Sequence, residues 1–144
     1  MIRLADVTPD NWCCRLSVSE AQKTLAADRV GLLARAYAYR EDRARAVFLG
    51  DGDTPAGMAL RRDYPEGGTY VLDDLFIDAR YQGQGYGTAA LALILNVLRR
   101  EGKFPRVILC YVEGNDAARR FYEKSGFRRK GNDFEDEIEM ELSL

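Results

Sequence analysis

The chain has 144 residues, with 21 Lys and Arg against 23 Asp and Glu, three cysteines and no histidine. Apolar residues at 47% and charged residues at 31% are the mix of a soluble globular chain, and the length predicts a single domain over residues 1–144 that needs no disulfide or metal staple. The missing histidine excludes Ser-His catalysis and histidine metal ligands, and a net charge of −2 offers no general attraction to nucleic acid.

The start of the chain, Met1 to Asp6, lacks the long apolar core of a signal peptide, and the apolar run Ala89 to Leu95 is too short to span a membrane. A cytoplasmic protein without a membrane partner is expected. The basic clusters Arg99-Arg100 and Arg128-Arg129-Lys130 are interrupted or followed by acidic residues and read as solvated surface. Cys13, Cys14 and Cys110 form no secreted disulfide pattern, and Cys110, in an apolar run, reads as a small core residue.

In chain order, Ile2, Leu4 and Val7 predict a short first strand. Thr8-Pro9-Asp10-Asn11 reads as a helix start, with Trp12 and Leu16 one turn apart. A second helical stretch is expected over Ser19–Ala27, and Val30, Leu33, Ala34 and Tyr37 continue at helical spacing, so the first quarter reads as mostly helical. Ala46–Gly50 and Gly57–Leu60 flank an Asp-Gly-Asp turn and predict a hairpin. Tyr70–Ile77 predicts a further strand. A helix is expected from about Thr88 to Arg100, closed by Gly102. Val107–Val112 reads as a buried strand, and Asn115 can cap a helix that stops at Gly126. Ile138, Met140 and Leu142 alternate with Glu139 and Glu141, as in a strand with one wet face. Antiparallel strands followed by strand–helix–strand–helix–strand predict an α/β sheet with helices on both faces.

The stretch Gln82-Gly83-Gln84-Gly85-Tyr86-Gly87-Thr88 lies between a predicted strand and a predicted helix. Glycines let the backbone turn sharply and approach a ligand, and a helix start presents unpaired N–H groups, so this is an anion site suited to phosphate. A nucleotide-hydrolase loop would need Gly-Lys-Ser/Thr at its end, and no lysine is present. A dinucleotide loop would need its third glycine one position later.

The remaining pattern, Gln82-x-x-Gly85-x-Gly87, resembles the Arg/Gln-x-x-Gly-x-Gly/Ala loop of GNAT-type N-acetyltransferases. Leu72-Asp73-Asp74-Leu75-Phe76-Ile77-Asp78 precedes it as the central strand of that family does. Asn115 to Phe127 is similar to the family's Asn-x-x-Ala-x-x-x-Tyr-x-x-x-Gly-Phe segment. The resemblance covers about residues 45 to 142 and implies a GNAT fold, a mixed, mostly antiparallel sheet splayed open around the cofactor after the strand ending at Ile77. The cofactor implied is acetyl-coenzyme A. Its pantetheine arm would lie along Phe76, Ile77 and Asp78, and its pyrophosphate on Gln82, Gly83, Gln84, Gly85, Tyr86, Gly87 and Thr88. Asn115, Ala118, Tyr122 and Lys124 would contact its far side.

Acetylating an amine requires the neutral amine, and an alkyl ammonium of lysine type has a pKa of about 10.4. A base must take that proton, and an acid can protonate the departing thiolate. By position in the family pattern Tyr122 is the acid and Asp73 the base. Strand alternation sends Asp73 and Asp74 to opposite faces, and the short aspartate would work through a water. The N-terminal third and the tail Asp136 to Leu142 are similar to bacterial spermine/spermidine N-acetyltransferases, which implies a small-molecule polyamine acceptor. Trp12, Glu20, Asp73 and Glu113 are the candidate contacts for such a polycation. An aminoglycoside, a protein or peptide amine, or a non-catalytic role as an acyl-coenzyme A sensor remain the alternatives. The family's frequent dimers leave a homodimer open.

Overall fold

Alternation along the central strands decides which helix covers which face of the sheet. In the computed structural model, which describes residues 1–23, 28–131 and 133–144, seven strands form one sheet in the order β1-β2-β3-β4-β5-β7-β6. The strands are β1 (Ile2–Asp6), β2 (Arg45–Asp51), β3 (Thr54–Tyr64), β4 (Thr69–Ile77), β5 (Arg106–Val112), β6 (Arg128–Arg129) and β7 (Glu137–Ser143). All neighbours are antiparallel except β4 and β5. Val47, Leu49, Ala59, Tyr70 and Leu72 point to one face, where they pack with Leu91, Ile94, Leu95 and Leu98 of α2 (Tyr86–Glu101). Phe48, Met58, Leu60 and Phe76 point the other way, against Leu32 of α1 (Arg29–Ala38) and against Leu16 and Val18 of the segment after β1. The third helix, α3 (Asp116–Lys124), follows β5.

The first quarter is less helical than its spacing predicts. Residues 9–13 form a turn that does not propagate into a helix. The Asn11 side chain closes it, accepting the Thr8 N–H at 2.7 Å and donating to the Asp6 carbonyl at 3.0 Å. Side chains that bond locally offer the backbone this alternative to a helix. Of the stretch expected over Ser19–Ala27, Glu20–Gln22 is a single 3₁₀ turn, and residues 24–27 lie outside the described residues.

The helix α1 forms as expected, with Asp28 capping it through the Gly31 N–H at 2.6 Å. Its core face differs, because contact with the sheet selects Leu32, Leu33 and Ala36. Val30 and Tyr37 stand 63% and 70% exposed. Leu32 is the one fully buried side chain described on α1, so Leu32→Ala is expected to cost about 2–5 kcal/mol in chemical unfolding, against little for Val30→Ala.

Two departures in β4 shape the site. The first is that β4 and β5 pair only at Tyr70–Val107 and Val71–Ile108. Beyond Val71 the two strands diverge, so the split opens inside β4 rather than past its end. The second is a shift of register against β3, where Arg61 faces Leu72 and Leu60 faces Asp74, leaving Asp73 as the extra residue of a bulge. Among the described residues no helix is long and apolar enough to cross a membrane.

Candidate active site

The split between β4 and β5 is a cleft of about 480 Å³. One wall is β4 from Leu72 to Ile77, and the other is Cys110 and Tyr111 of β5 with Asn115, Ala118, Phe121 and Tyr122. Gln82, Gly83, Gly85, Tyr86, Gly87 and Thr88 close one end. The backbone of β4 past Val71 has no strand partner on the β5 side, which leaves an edge open to an extended ligand, except at the Ile77 carbonyl, which already accepts Gln82 Nε2 at 3.0 Å.

The helix α2 starts at Tyr86, two residues earlier than predicted, so Gly87 and Thr88 belong to its first turn. Its N-cap is Gly85, which supplies no side-chain hydrogen bond to the first N–H groups. Among the described residues the N–H groups of Tyr86, Gly87 and Thr88, all three residues in the cleft lining, have no hydrogen-bond partner, and the positive end of the helix dipole lies at them. Gly83 and Gly85 have φ of 74° and 82°, the left-handed region that side chains avoid. Gly87 is not in that region, and a Cβ there would make ordinary contact, 3.4 Å from the Phe121 ring, where α3 packs close to the start of α2.

Asn115 lines the cleft and caps α3, accepting the Ala118 N–H at 3.2 Å. Tyr122 is held edge-on between Phe121 and Phe127, with ring centroids 5.0 and 5.6 Å apart. Burial, reinforced by the charge of Asp74, pushes its phenol well above the usual value. At neutral pH it is therefore the protonated form, the one able to donate.

The bulge corrects the expectation for the two aspartates. Asp73 and Asp74 do not face opposite sides, because both carboxylates meet guanidinium groups on the α1 side of the sheet. Asp73 accepts Arg62 Nε at 2.9 Å, and Arg62 in turn lies 4.3 Å over the ring of Tyr39, the residue that ends α1. Asp74 accepts Arg35 Nη1 of α1 at 3.0 Å. Burial raises both carboxyls. For Asp74 it outweighs the nearby Arg35, with Asp73 adding to it, and the pKa reaches about 6.

Several expected contacts are placed elsewhere. Asp78, expected to meet the cofactor through its backbone, is outside the cleft lining: its N–H donates to the Ala56 carbonyl at 2.7 Å, and its buried carboxylate accepts the Ser17 N–H at 2.9 Å and Arg80 Nε at 2.7 Å. Burial alone would raise its pKa, but these bonds hold it below the usual carboxylate range. Gln84 and Lys124 are exposed and outside the cleft lining. Trp12 is 53% exposed, Glu20 pairs with Lys23, and Glu113 is on the turn after β5, and none of the three lines the cleft. Cys110 is not a core residue, since it is exposed and faces the split, where burial and the carboxylates of Glu137 and Glu139 push its thiol up to about 11. Sequence reasoning missed Gln22, whose Oε1 receives Gln82 Nε2 at 2.6 Å, and Val18, both in the cleft lining. It also missed Asp74 as a cleft carboxylate, for which the Asp73-Asp74 doublet was the available signal.

Comparison with known proteins agrees with this architecture. The spermine/spermidine N(1)-acetyltransferase of Bacillus subtilis (strain 168) is 36% identical over 101 residues, 65% of this chain and 66% of that protein, so the match spans just under two thirds of the relative. An acetyltransferase from Thermus thermophilus superposes with a TM-score of 0.81 at 23% identity, covering 99% of this chain and 97% of that one. A Bacillus subtilis acetyltransferase solved in complex with CoA superposes with a TM-score of 0.73 at 17% identity, covering 99% and 97% of the two chains. The family model for the acetyltransferase (GNAT) family matches residues 6–127, a span that includes the glycine loop and both cleft walls, and the chain belongs to that family.

Proposed function

We propose that the cleft holds acetyl-coenzyme A along β4, and that the acetyl group passes to a primary amine of a polyamine such as spermidine. The observation that carries the acceptor is the Asp73–Asp74 carboxylate pair, set into the cleft wall that Tyr122 faces. As a member of this family the chain is an N-acetyltransferase that uses acetyl-coenzyme A. The residues fit that donor. Uncapped N–H groups at Tyr86–Thr88 suit a diphosphate, and the edge of β4 left unpaired by β5 past Val71 suits an amide-bearing arm. Bound there, the donor supplies an activated thioester.

The chain's own residues supply the proton handling. Asp74, rather than Asp73, is the abler base, because its pKa of about 6 leaves it charged yet close to neutrality. Asp73, locked to Arg62, keeps the local charge negative and favours a cationic acceptor. The protonated phenol of Tyr122 is the acid for the departing thiolate. A polycation answers two adjacent carboxylates better than a neutral amine does, and the 36% identical relative is a polyamine enzyme. Trp12, Glu20 and Glu113 stand outside the cleft lining.

The acceptor class is tested with acetyl-coenzyme A and a panel of spermidine, an aminoglycoside and a peptide with a free N-terminus, while free thiol is followed. The expected result is thiol release with the highest kcat/KM for spermidine. Release confined to the aminoglycoside or the peptide would overturn the polyamine reading. Binding of the donor without release on any amine would make the chain a sensor.

A further inference from the structure

Two Asp–Arg pairs stand side by side on the α1 side of the cleft, and they are built differently. The Arg62–Asp73 pair is largely covered, with side chains 16% and 11% exposed, and its guanidinium is stacked 4.3 Å over Tyr39. The Arg35–Asp74 pair has an equally buried carboxylate, 10% exposed, but its arginine is 46% exposed. Among the described residues, Arg35 has a single side-chain bond, the 3.0 Å contact from Nη1 to Asp74 Oδ2, and no aromatic ring beneath it. One arginine is fixed, and the other reaches in from solvent on the surface of a helix.

An arginine on Asp74 cannot be a passive feature of catalysis. Guanidinium does not give up its proton in this pH range, so while it holds Oδ2 of Asp74 it competes with an incoming ammonium for the carboxylate's charge. It is also a cation at the place where the proposed acceptor carries one. Asp74 meets Arg35 from α1, Asp73 from its own strand and Tyr122 from α3. Of these only Arg35 brings positive charge, and only Arg35 can leave for solvent.

We propose that Arg35 is a displaceable counter-ion, which neutralises Asp74 while the acceptor site is free of amine and yields it to the acceptor's ammonium. This rests on the reading of the cleft as an amine acetyltransferase. It makes cation exchange at Asp74 a determinant of acceptor choice. A neutral or acidic acceptor cannot compensate the carboxylate that the arginine vacates, whereas an ammonium can, and a second ammonium on the same molecule can meet Asp73. The exchange also protects the buried carboxylate from standing without a partner between turnovers.

The test compares wild type with Arg35→Gln and Arg35→Lys by spermidine kinetics at about pH 8.5, far enough above ordinary carboxylate titration to keep Asp74 charged in every protein. With the competitor charge gone, Arg35→Gln is expected to lower the spermidine KM about fivefold or more, with kcat changing far less, as for the loss of a modest ion pair. Arg35→Lys, which keeps a cation, is expected to hold the wild-type KM. Calorimetric binding of spermidine to the coenzyme A-loaded proteins should show the same order without turnover. A KM that rises or stays level in Arg35→Gln, in a protein whose thermal midpoint is unchanged, would overturn the counter-ion role and leave the acetyltransferase reading standing. If Arg35→Gln melts early, the calorimetric series at low temperature decides on the same criterion. No acetyl transfer by wild type to any amine would overturn both.

Discussion

Replacing Tyr122 with Phe is expected to lower kcat by about 10²–10⁴-fold while leaving the affinity for acetyl-coenzyme A within about twofold. The substitution removes one oxygen and retains the ring that packs edge-on against Phe121 and Phe127 at 5.0 and 5.6 Å. The fold therefore loses little, and a change in rate reports the hydroxyl. Burial first, and then the Asp74 charge, keep that hydroxyl protonated across the range in which the protein is assayed. A donor in the cleft wall matters because the departing thiolate must acquire a proton. Single-turnover release of free thiol, with the donor prebound, separates this step from binding. An unchanged single-turnover rate would remove Tyr122 as the acid.

The second large effect is expected at Asp74. Asp74→Asn keeps the size of the side chain and an oxygen for Arg35 but removes the charge that accepts the amine's proton, and kcat/KM should fall about 10²-fold or more. The pH profile gives an independent check. The base works as the carboxylate, so activity requires deprotonation. Burial raises its pKa, Arg35 opposes this, Asp73 adds to it, and the result is about 6. Wild-type kcat/KM should accordingly be level above that value and fall about tenfold for each pH unit below it, provided no other group titrates first. In Asp74→Asn this acid limb should disappear. If the variant keeps the wild-type limb, the titrating base is Asp73 or a group outside the cleft.

What the sequence made legible divides along physical lines. The glycine loop, the strand before it and the Asn115–Phe127 segment were readable because each depends on local chemistry. Positive φ needs glycine, an N-cap needs a short polar side chain, and a helix start needs a partner for its N–H groups. The bulge at Asp73 was not readable. Period-two alternation assumes unbroken register, and the extra residue exists only relative to β3. That one residue turned two carboxylates expected on opposite faces to the same side. Cys110 was misplaced for a similar reason, since an apolar run in β5 is core only where the neighbouring strand continues, and β4 diverges beyond Val71. The Asp78 backbone looked available to a ligand because its N–H partner, the Ala56 carbonyl of β3, and its carboxylate's partner Ser17, 61 positions away, are both brought to it only by the fold. On α1 the apolar positions allowed more than one stripe, and only the contact with the sheet chose Leu32 over Val30 and Tyr37. Strand β6, at two residues, is too short to show any period.

The central claim is that the cleft takes its donor by the diphosphate, on the uncapped start of α2. Calorimetric titration of coenzyme A and of pantetheine, which lacks the diphosphate, into wild type and Gly85→Val tests it most directly. Valine at a φ of 82° strains the turn by about 1–2 kcal/mol or more and moves the N–H groups that face the cleft. Wild type is expected to bind coenzyme A at least about tenfold tighter than pantetheine, and Gly85→Val, still folded by circular dichroism, is expected to lose that preference. Equal affinity of wild type for the two ligands, or an undiminished preference in Gly85→Val, would contradict it.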